Sequence, residues 1–245
     1  MTKIAFISDI HGNLPALQAV LAALEDEGCD HILCLGDIVG YGPWPVECVD
    51  YIRQNKIQTV LGNHDEYVTL LMDPRVERLR EEIQIAIAWT QAQLSMDALR
   101  WLAQLPFEMS CEDEFVCVHG SFLPGKWGYC LDEPTFAANF KYQQPQLAFC
   151  GHSHSPLIGI DQPGETPVVD YIRPGKVVEN FKVMVNVGSV GQPRDRDPRA
   201  CAVVYELPTR QIKLLRVEYD IAKVQEKIRE VGLPEKFALR LEMGR

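Results

Sequence analysis

The segment KIAFISDIHGNLPALQAVLAALEDEG, residues 3–28, decides the fold class. Its first six residues form a short apolar run rich in β-forming side chains, and the polar DIHGN follows at once. The remainder has the spacing of an amphipathic helix, with Pro15 tolerated in the first turn and Gly28 after the end. A buried strand followed by such a helix predicts the first half of a βαβ unit.

The same alternation continues beyond this segment. The apolar run HILCL (31–35) ends in Gly-Asp, residues 46–55 have a helical pattern, and the run QTVL (58–61) ends in GNHD. Strands that alternate with helices favour parallel pairing. We therefore expect an α/β fold with a parallel region in its first half.

The rest of the chain divides into segments of different character. Residues 75–104 predict two helices with a break near Ser95, and the runs EFVCVHG (114–120) and QLAFCGH (146–152) predict further strands. Residues 157–217 are rich in β-formers joined by Pro, Gly and Asp turns, which is typical of antiparallel strands. A last helix is expected at about 220–231, followed by a polar tail. We expect a single domain over residues 1–245, with a helical insertion at about 75–104 and an irregular, cap-like segment at about 120–145.

Composition narrows the class of protein. The net charge of −10 gives no basic footprint for nucleic acid, although bound cations can still attract a phosphate substrate. Eight cysteines without a CxxC pair, together with an N-terminus that lacks a secretion signal, predict a reducing cytoplasmic compartment. No apolar run approaches 18 residues, so we expect no membrane span.

Polar residues recur where the predicted strands end. Because ligands bind outside the carboxyl ends of strands in open α/β sheets, these residues are expected to meet at one rim. Five of the six histidines take part, and His31 lies outside the pattern. The residues at this rim are Asp9, His11, Asp37, Asn63, His64, Asp65, His119, His152 and His154.

Imidazoles combined with carboxylates suit Mn, Fe, Zn, Ni or Co better than Mg or Ca alone. Seven or eight such groups exceed the needs of one ion, but they fit two ions that share a carboxylate. Two metal ions about 3.5–4 Å apart are the common device for in-line attack on phosphorus. The sequence therefore predicts two divalent ions, with Mn²⁺ the expected pair in vitro.

The ordered motifs DIH, GD, GNHD, a strand ending in HG, and GHSH resemble those of the calcineurin-like metallophosphoesterase superfamily. The resemblance runs from residue 3 to about 205. The stretches GDIVGYGPWP (36–45) and NVGSVGQPRDRDPRA (186–200) are similar to a small bacterial and archaeal phosphodiesterase-like branch. This resemblance implies a four-layer α/β/β/α sandwich of two mixed sheets flanked by helices.

The resemblance also implies roles for individual residues. His64 is implied to stabilise the transition-state oxygens or to protonate the leaving group, and Asp65 to orient His64. Asn13 is expected to touch the phosphate or to hold its loop. One implied ion is held by Asp9, His11, Asp37 and His154, and the other by the bridging Asp37 with Asn63, His119 and His152.

Other side chains near these motifs leave alternatives open. Arg194 is a candidate clamp for a distal phosphate, and a solvated loop position is an equal alternative. Five aromatic residues could form a base-stacking pocket or simply pack the loops. They are Tyr41, Trp44, Tyr67, Trp127 and Tyr129.

The implied activity is hydrolysis of phosphoric esters, most of all phosphodiesters, by a hydroxide that bridges the two ions. Small-molecule phosphoesters or nucleotides are the expected substrates. A phosphomonoesterase is the alternative, either a Ser/Thr protein phosphatase or a dinucleotide polyphosphate hydrolase. A non-catalytic scaffold with the same fold is a further alternative, which the full set of ligand positions disfavours.

Overall fold

Two six-stranded mixed sheets make up the β-structure in the part of the chain that the computed structural model describes, which is residues 2–70, 73–111, 114–162, 164–173, 176–177 and 181–245. The strands are β1 (Lys3–Ile7), β2 (His31–Cys34), β3 (Gln58–Thr59), β4 (Glu108–Cys111), β5 (Phe115–Val118), β6 (Leu147–Cys150), β7 (Pro156–Ile160), β8 (Val168–Tyr171), β9 (Lys176–Val177), β10 (Val183–Val187), β11 (Ala200–Glu206) and β12 (Gln211–Val217). The first sheet has the order β3-β2-β1-β11-β12-β9, and the second has the order β4-β5-β6-β10-β7-β8.

The helices lie outside or beside these sheets. They are α1 (Leu14–Asp26), α2 (Pro45–Gln54), α3 (Asn63–Thr69), α4 (Pro74–Glu77), α5 (Glu81–Gln93), α6 (Met96–Ala103), α7 (Glu133–Phe140), α8 (Ile221–Glu230) and α9 (Glu235–Met243). None of the helices among the described residues is both long and apolar enough to cross a membrane.

Each sheet has a parallel region that ends at the same rim of the molecule. Strands β1, β2 and β3 run parallel in the first sheet, and β5, β6 and β10 run parallel in the second. The remaining pairs are antiparallel. The predicted parallel βαβ start is present. The strands over residues 157–217 pair antiparallel as expected, except that β10 lies parallel to β6.

Strand β1 contributes side chains to two different hydrophobic cores, one on each face of the first sheet. Successive side chains on a strand point to opposite faces. Ala5 and Ile7 belong to the core under α1 and α2, whereas Ile4 and Phe6 belong to the core between the sheets. The Phe6 ring stacks on Phe149 of the other sheet, with ring centroids 3.7 Å apart. The run KIAFI is apolar throughout because both of its faces are buried.

A third core closes the other side of the second sheet. Val116 and Val118 of β5 point outward and pack with Phe136 and Phe140 of α7. Helix, sheet, sheet and helix therefore follow one another across the molecule. The predicted four-layer α/β/β/α sandwich is confirmed.

Two segments differ in detail from the sequence-based expectation. The predicted helical segment at 75–104 holds α5 and α6, with Ser95 accepting a hydrogen bond from Ala98 N at the start of α6, and also the short α4 before them. The expected polar tail instead forms α9, which packs on α8 and buries Phe237 and Leu241. The layout as one domain over residues 1–245 stays a prediction.

Candidate metal centre

All seven predicted ligands converge at the shared rim, and each is buried. Asp9 and His11 follow β1, Asp37 follows β2, and Asn63 begins α3 after β3. The second sheet contributes His119 after β5 and His152 and His154 after β6. The parallel strands thus bring the ends of five strands from two sheets to one place, as the motif order predicts.

The first cluster consists of Asp9, His11 and His154. The distance from His154 Nε2 to Asp9 Oδ1 is 3.2 Å, and that from His11 Nε2 to Asp9 Oδ1 is 3.7 Å. The two imidazole Nε2 atoms lie 3.2 Å apart. These atoms are all within 4.8 Å of one another, so a single cation could contact all three residues.

The second cluster is built around His119. Its Nε2 atom lies 3.3 Å from Asp37 Oδ2, 3.2 Å from His152 Nδ1 and 3.1 Å from Asn63 Oδ1. Asp37 Oδ2 is also 3.6 Å from His11 Nε2 in the first cluster. The Asp37 carboxylate therefore lies between the two clusters, which is the position that a shared ligand requires.

Backbone carbonyls fix which nitrogen each imidazole presents to the centre. A carbonyl only accepts, so the ring nitrogen facing it carries the hydrogen and the other nitrogen offers its lone pair. Three histidines donate through Nδ1, and His152 is reversed and donates through Nε2. The pairs are His11 with Val39 O at 3.0 Å, His119 with Leu35 O at 2.7 Å, His154 with Gln192 O at 2.5 Å, and His152 with Trp127 O at 3.2 Å.

This hydrogen-bond pattern makes the donor set fit divalent cations. In the first cluster two ring nitrogens face each other at 3.2 Å with lone pairs turned inward, and in the second the lone pair of His152 Nδ1 points to His119 Nε2, also 3.2 Å away. Asp9 Oδ1 is buried and accepts no hydrogen bond from the described residues. Facing lone pairs and an unpaired buried carboxylate oxygen are costly unless a positive charge sits among them. Imidazole and carboxylate are the ligands that Mn, Fe, Co, Ni and Zn accept.

The protonation states agree with metal ligation. Burial lowers the pKa of His152 to about 3, and burial likewise lowers the pKa values of His11 and His154. His119 differs, because Asp37 overrides burial and raises the His119 pKa to about 9. Three of the four imidazoles are thus neutral at neutral pH, and neutral imidazole is the form that binds a metal.

His64 lies beside the first cluster and close to the shared Asp37. Its ring centroid is 5.0 Å from that of His11 and 4.4 Å from that of Tyr41. Burial lowers the His64 pKa to about 4, so the ring is neutral at neutral pH. Its Nδ1 atom is buried and makes no hydrogen bond to the described residues. A ring nitrogen of His64 also lies within 4.8 Å of ligand atoms of His11 and Asp37, so the residue borders the centre directly.

The Asp65 carboxylate makes no hydrogen bond to the His64 ring among the described residues, so the predicted orienting role has no direct contact behind it. Its carboxylate accepts hydrogen bonds from Ile38 N at 2.9 Å, Val39 N at 3.2 Å and Gly62 N at 3.2 Å. The reason is that GNHD begins helix α3, and neighbouring residues on a helix point about 100° apart. The Asp65 side chain reaches back to the helix start and braces the backbone after Asp37 instead. Burial and the nearby Asp37 raise the pKa of Asp65 to about 7.

Asn13 holds its loop, which was the second of its two predicted roles. Its Oδ1 atom caps α1 by accepting from Ala16 N at 3.2 Å, and its Nδ2 atom donates to Gly191 O at 2.9 Å. The side chain is buried, so the predicted contact with a phosphate is not supported. Arg194 remains a candidate, because its backbone N donates to His154 O at 3.1 Å and its Nε atom has no partner among the described residues.

The aromatic residues around the centre have separate roles. Tyr129 stacks on the His152 ring at a centroid distance of 4.2 Å and is 47% exposed at the mouth of the site. Trp127 is fixed by a hydrogen bond from Nε1 to Glu66 Oε2 at 3.1 Å. Tyr41 is buried between His11 and His64 on one side and Phe237 on the other. Loop packing accounts for Tyr41 and Trp127, and Tyr129 alone of the three offers an exposed ring face.

The backbone at the centre is unusual. Ten non-glycine residues in the described part of the chain have a positive φ, and half of them are predicted ligands. This left-handed region is unfavourable for residues with a Cβ, and such residues cluster at functional sites. The five ligands are Asp9, His11, Asp37, His152 and His154, with φ between 48° and 65°.

Sequence reasoning missed the partners that hold these side chains. The carbonyls of Leu35, Val39, Trp127 and Gln192 fix the imidazoles, but a main-chain oxygen leaves no mark in the residue pattern. Phe237 of α9, whose ring centroid is 4.9 Å from that of Tyr41, was likewise unforeseen. The signal that could have found it is the four-residue spacing of Leu233, Phe237 and Leu241, which is typical of one face of a helix.

The chain matches the family model of the calcineurin-like phosphoesterase superfamily domain over residues 2–209. The crystal structure of a metallophosphoesterase from Sphaerobacter thermophilus superposes with a TM-score of 0.85 at 39% identity, covering 100% of this chain and 99% of that one. An uncharacterized protein of Methanocaldococcus jannaschii is 37% identical, with 100% of this chain and 99% of the relative aligned. The phosphodiesterase YfcE of Escherichia coli is 28% identical over 109 residues, 40% of this chain and 55% of that protein. The chain therefore belongs to the calcineurin-like phosphoesterase superfamily of hydrolytic enzymes.

Proposed function

We propose that this protein is a metal-dependent phosphodiesterase that works with two divalent ions. The observation that carries the proposal is the pair of facing ligand clusters with the Asp37 carboxylate between them. Each cluster alone resembles a site for one cation, and a shared carboxylate is what sets two cations side by side. The partial likeness to a protein named a phosphodiesterase supports the choice of diesters.

The proposed ligand sets follow the two clusters. Asp37 is assigned to both ions, and Asn63 completes the second set through its Oδ1 atom. One set is Asp9, His11, Asp37 and His154, and the other is Asp37, Asn63, His119 and His152. Bound there, two divalent ions would neutralise phosphoryl charge and activate a water for in-line attack. Manganese is the proposed ion for assays in vitro.

The proposed role of His64 is to donate a hydrogen bond to an oxygen of the reacting phosphoryl group or of the leaving alcohol. A neutral imidazole can donate through one nitrogen, and burial keeps the His64 pKa at about 4. Gly40 and Tyr41 pack against the ring and hold its orientation, since a Cβ on Gly40 would lie 2.5 Å from His64 Nδ1. His64 would therefore stabilise developing charge with little reorganisation.

The residues around the centre also exclude most water from it. All ligand side chains are at most 7% exposed, and Tyr129 covers His152 from the solvent side. In such a site, fixed charges and hydrogen bonds act more strongly than in bulk water. A substrate would approach past Tyr129 and Arg194, two incompletely buried side chains beside the ligands.

The test is hydrolysis of bis(p-nitrophenyl) phosphate by metal-stripped protein to which Mn²⁺ is added back. We expect turnover to rise with added metal and to level off at two ions per chain. A panel of aryl monoester, aryl diester and dinucleoside polyphosphate substrates compares the diesterase with the phosphomonoesterase alternatives. Absence of metal-dependent turnover on the whole panel, with fewer than two ions bound, would refute the proposal. Two bound ions without any turnover would favour the scaffold alternative.

A further inference from the structure

The C-terminal helix α9 reaches the candidate metal centre from outside the region that the family model covers, which ends at residue 209. Phe237 on α9 packs on Tyr41, with ring centroids 4.9 Å apart, and Tyr41 in turn packs on His64. The end of α9 is tied to the loop of Arg194 by a hydrogen bond from Arg196 N to Gly244 O at 2.9 Å. Two separate contacts therefore fix this helix against the opening of the centre.

Arg240 lies one helical turn after Phe237 and so projects from the same face of α9. It is half-buried, and the side chains that act on its charge are Arg194, Tyr41, Arg80 and Tyr129. Burial lowers the pKa of Arg240, the guanidinium of Arg194 lowers it further, and Tyr41 and Tyr129 oppose this effect. The Arg194 guanidinium carbon lies 5.9 Å from the centroid of the same Tyr41 ring on which Phe237 packs, and the Arg194 backbone N donates to His154 O. The face of α9 that carries Phe237 and Arg240 is therefore next to Arg194 at the edge of the centre.

Neither guanidinium is neutralised by an aspartate or glutamate in the part of the chain that the structure describes. Arg194 Nη2 donates to Gln192 Oε1 at 2.9 Å, the guanidinium lies against the uncharged Tyr41, and the Nε atom is buried without a partner among the described residues. Arg240 Nε donates to Arg245 O at 2.8 Å, which leaves its Nη groups without a hydrogen bond to the described residues.

The carboxylates of the neighbouring loop are engaged elsewhere. Asp195 pairs with Arg216, and Asp197 pairs with Arg199. In a protein with a net charge of −10, two partly buried arginines held near each other without a carboxylate between them are unexpected. Like charges placed together repel, and an anion between them removes the repulsion.

We propose that Arg194 and Arg240 form a second anion subsite at the mouth of the metal centre, and that the substrate is a phosphoester carrying a further phosphate group. This inference rests on the proposed function and names its substrate class. Guanidinium groups bind phosphate oxygens through two parallel hydrogen bonds, so two of them suit a doubly charged terminal phosphate. The reacting phosphoryl group lies at the ions, and the second phosphate lies under α9.

The test compares two esters with the same leaving group and the same reacting diester. Thymidine 5′-(p-nitrophenyl phosphate) has one phosphate, and its 3′-phosphorylated form has a second. We expect wild type to favour the doubly phosphorylated ester in kcat/KM, mainly through KM. Arg240→Gln should reduce that selectivity about tenfold, as expected for loss of a charge-assisted hydrogen bond, and Arg240→Lys should restore part of it.

The matched control is Arg229→Gln, because Arg229 belongs to the neighbouring α8 and pairs on the surface with Glu235. This variant should keep the wild-type selectivity. Equal losses on both esters in Arg240→Gln, or an unchanged ratio, would overturn the subsite. The first outcome would place Arg240 at the reacting phosphoryl group or in a purely structural role.

A binding measurement separates this inference from the proposed catalytic function. Calorimetry of thymidine 3′,5′-bisphosphate on the manganese-loaded protein needs no turnover. About tenfold weaker binding by Arg240→Gln, but not by Arg229→Gln, would support the subsite even if wild type hydrolysed neither ester. Equal binding by the three proteins, or no binding at all, would contradict it. Absence of turnover alone would count only against the proposed function.

Discussion

Replacing Gly62 by alanine tests whether the position of the Asp37 carboxylate controls the whole centre. A Cβ at Gly62 would lie 2.2 Å from both the backbone N and Oδ1 of Asp37. Contacts between a Cβ and another atom essentially never fall below 3.0 Å, so the two groups must separate by at least 0.8 Å. Gly62 has φ −94° and ψ 165°, which alanine adopts freely, so the clash is the only direct cost.

The loop around Asp37 cannot shift to relieve the clash without also moving the ligand side chains. Its backbone is tied to the first motif, because His11 N donates to Asp37 O at 2.9 Å and Asp9 N donates to Gly36 O at 3.0 Å. A forced shift therefore carries Asp37 Oδ2 away from His11 and His119. Misplacement of a catalytic group by about 1 Å costs on the order of 100-fold in rate, so we expect kcat/KM to fall about 100-fold. Overpacking should also lower the free energy of unfolding by about 1–3 kcal/mol, or the Tm by roughly 2–12 °C.

The assays are manganese titration by calorimetry, hydrolysis of bis(p-nitrophenyl) phosphate and thermal unfolding. Gly28→Ala is the matched control, since Gly28 has φ +67° and nothing within 4 Å of an added Cβ. Alanine there costs about 1–2 kcal/mol through backbone strain alone, at the opposite end of the first sheet. We expect a similar loss of stability with normal metal binding and activity. A Gly62→Ala protein with normal turnover, or a Gly28→Ala protein that is equally inactive, would refute the reasoning.

The remaining predictions concern single side chains. His152→Ala and His154→Ala should each bind about one ion instead of two by metal analysis, and loss of both ions from either variant would argue against two separable clusters. His64→Ala should lower kcat by roughly 10²–10⁴ while two ions stay bound, whereas the exposed His31→Ala should match wild type in both measurements. The Tm of metal-free protein should fall as pH drops from 6.5 toward 4, because His64 and His152, with pKa values of about 4 and about 3, stay neutral in the fold and take up protons on unfolding. Burial raises the pKa of Asp65 to about 7 and opposes this trend, so a Tm that rose over the interval would show that Asp65 dominates.

The strand pattern was sufficient to predict the rim at which the ligands meet, and the family resemblance of the ordered motifs predicted the four layers. KIAFI is apolar on both faces because it lies between two cores, and that property is visible in the sequence. Helix α9 was not predicted, because its Phe237 and Leu241 are buried against residues far away in the chain. Nor was α3, since GNHD was interpreted as a strand-end loop.

For the site, the sequence was sufficient to predict which residue types are present, but not the direction in which each side chain points. The convergence of His119 with His152 and of His11 with His154 follows from strand topology. The orienting role predicted for Asp65 came from taking sequence neighbours as spatial partners, whereas the start of a helix turns the two side chains apart. Asn13 was ambiguous because a cap and a phosphate ligand use the same amide atoms. Only the structure shows that both are already engaged.

The left-handed backbone at five ligand positions has a consequence for protein engineering. At about 1 kcal/mol each, those five conformations together cost about 5 kcal/mol, which is comparable to the entire net stability of many domains. Glycine would relieve the strain at every one of them, but it would also remove the buried hydrogen bonds and packing of Asp9, His11, Asp37, His152 and His154. Such variants would exchange one cost in stability for another, and they would lose the proposed ligands. Positions whose backbone conformation favours glycine, but whose proposed chemistry requires a ligand side chain, therefore mark the metal centre. This criterion does not depend on any activity assay.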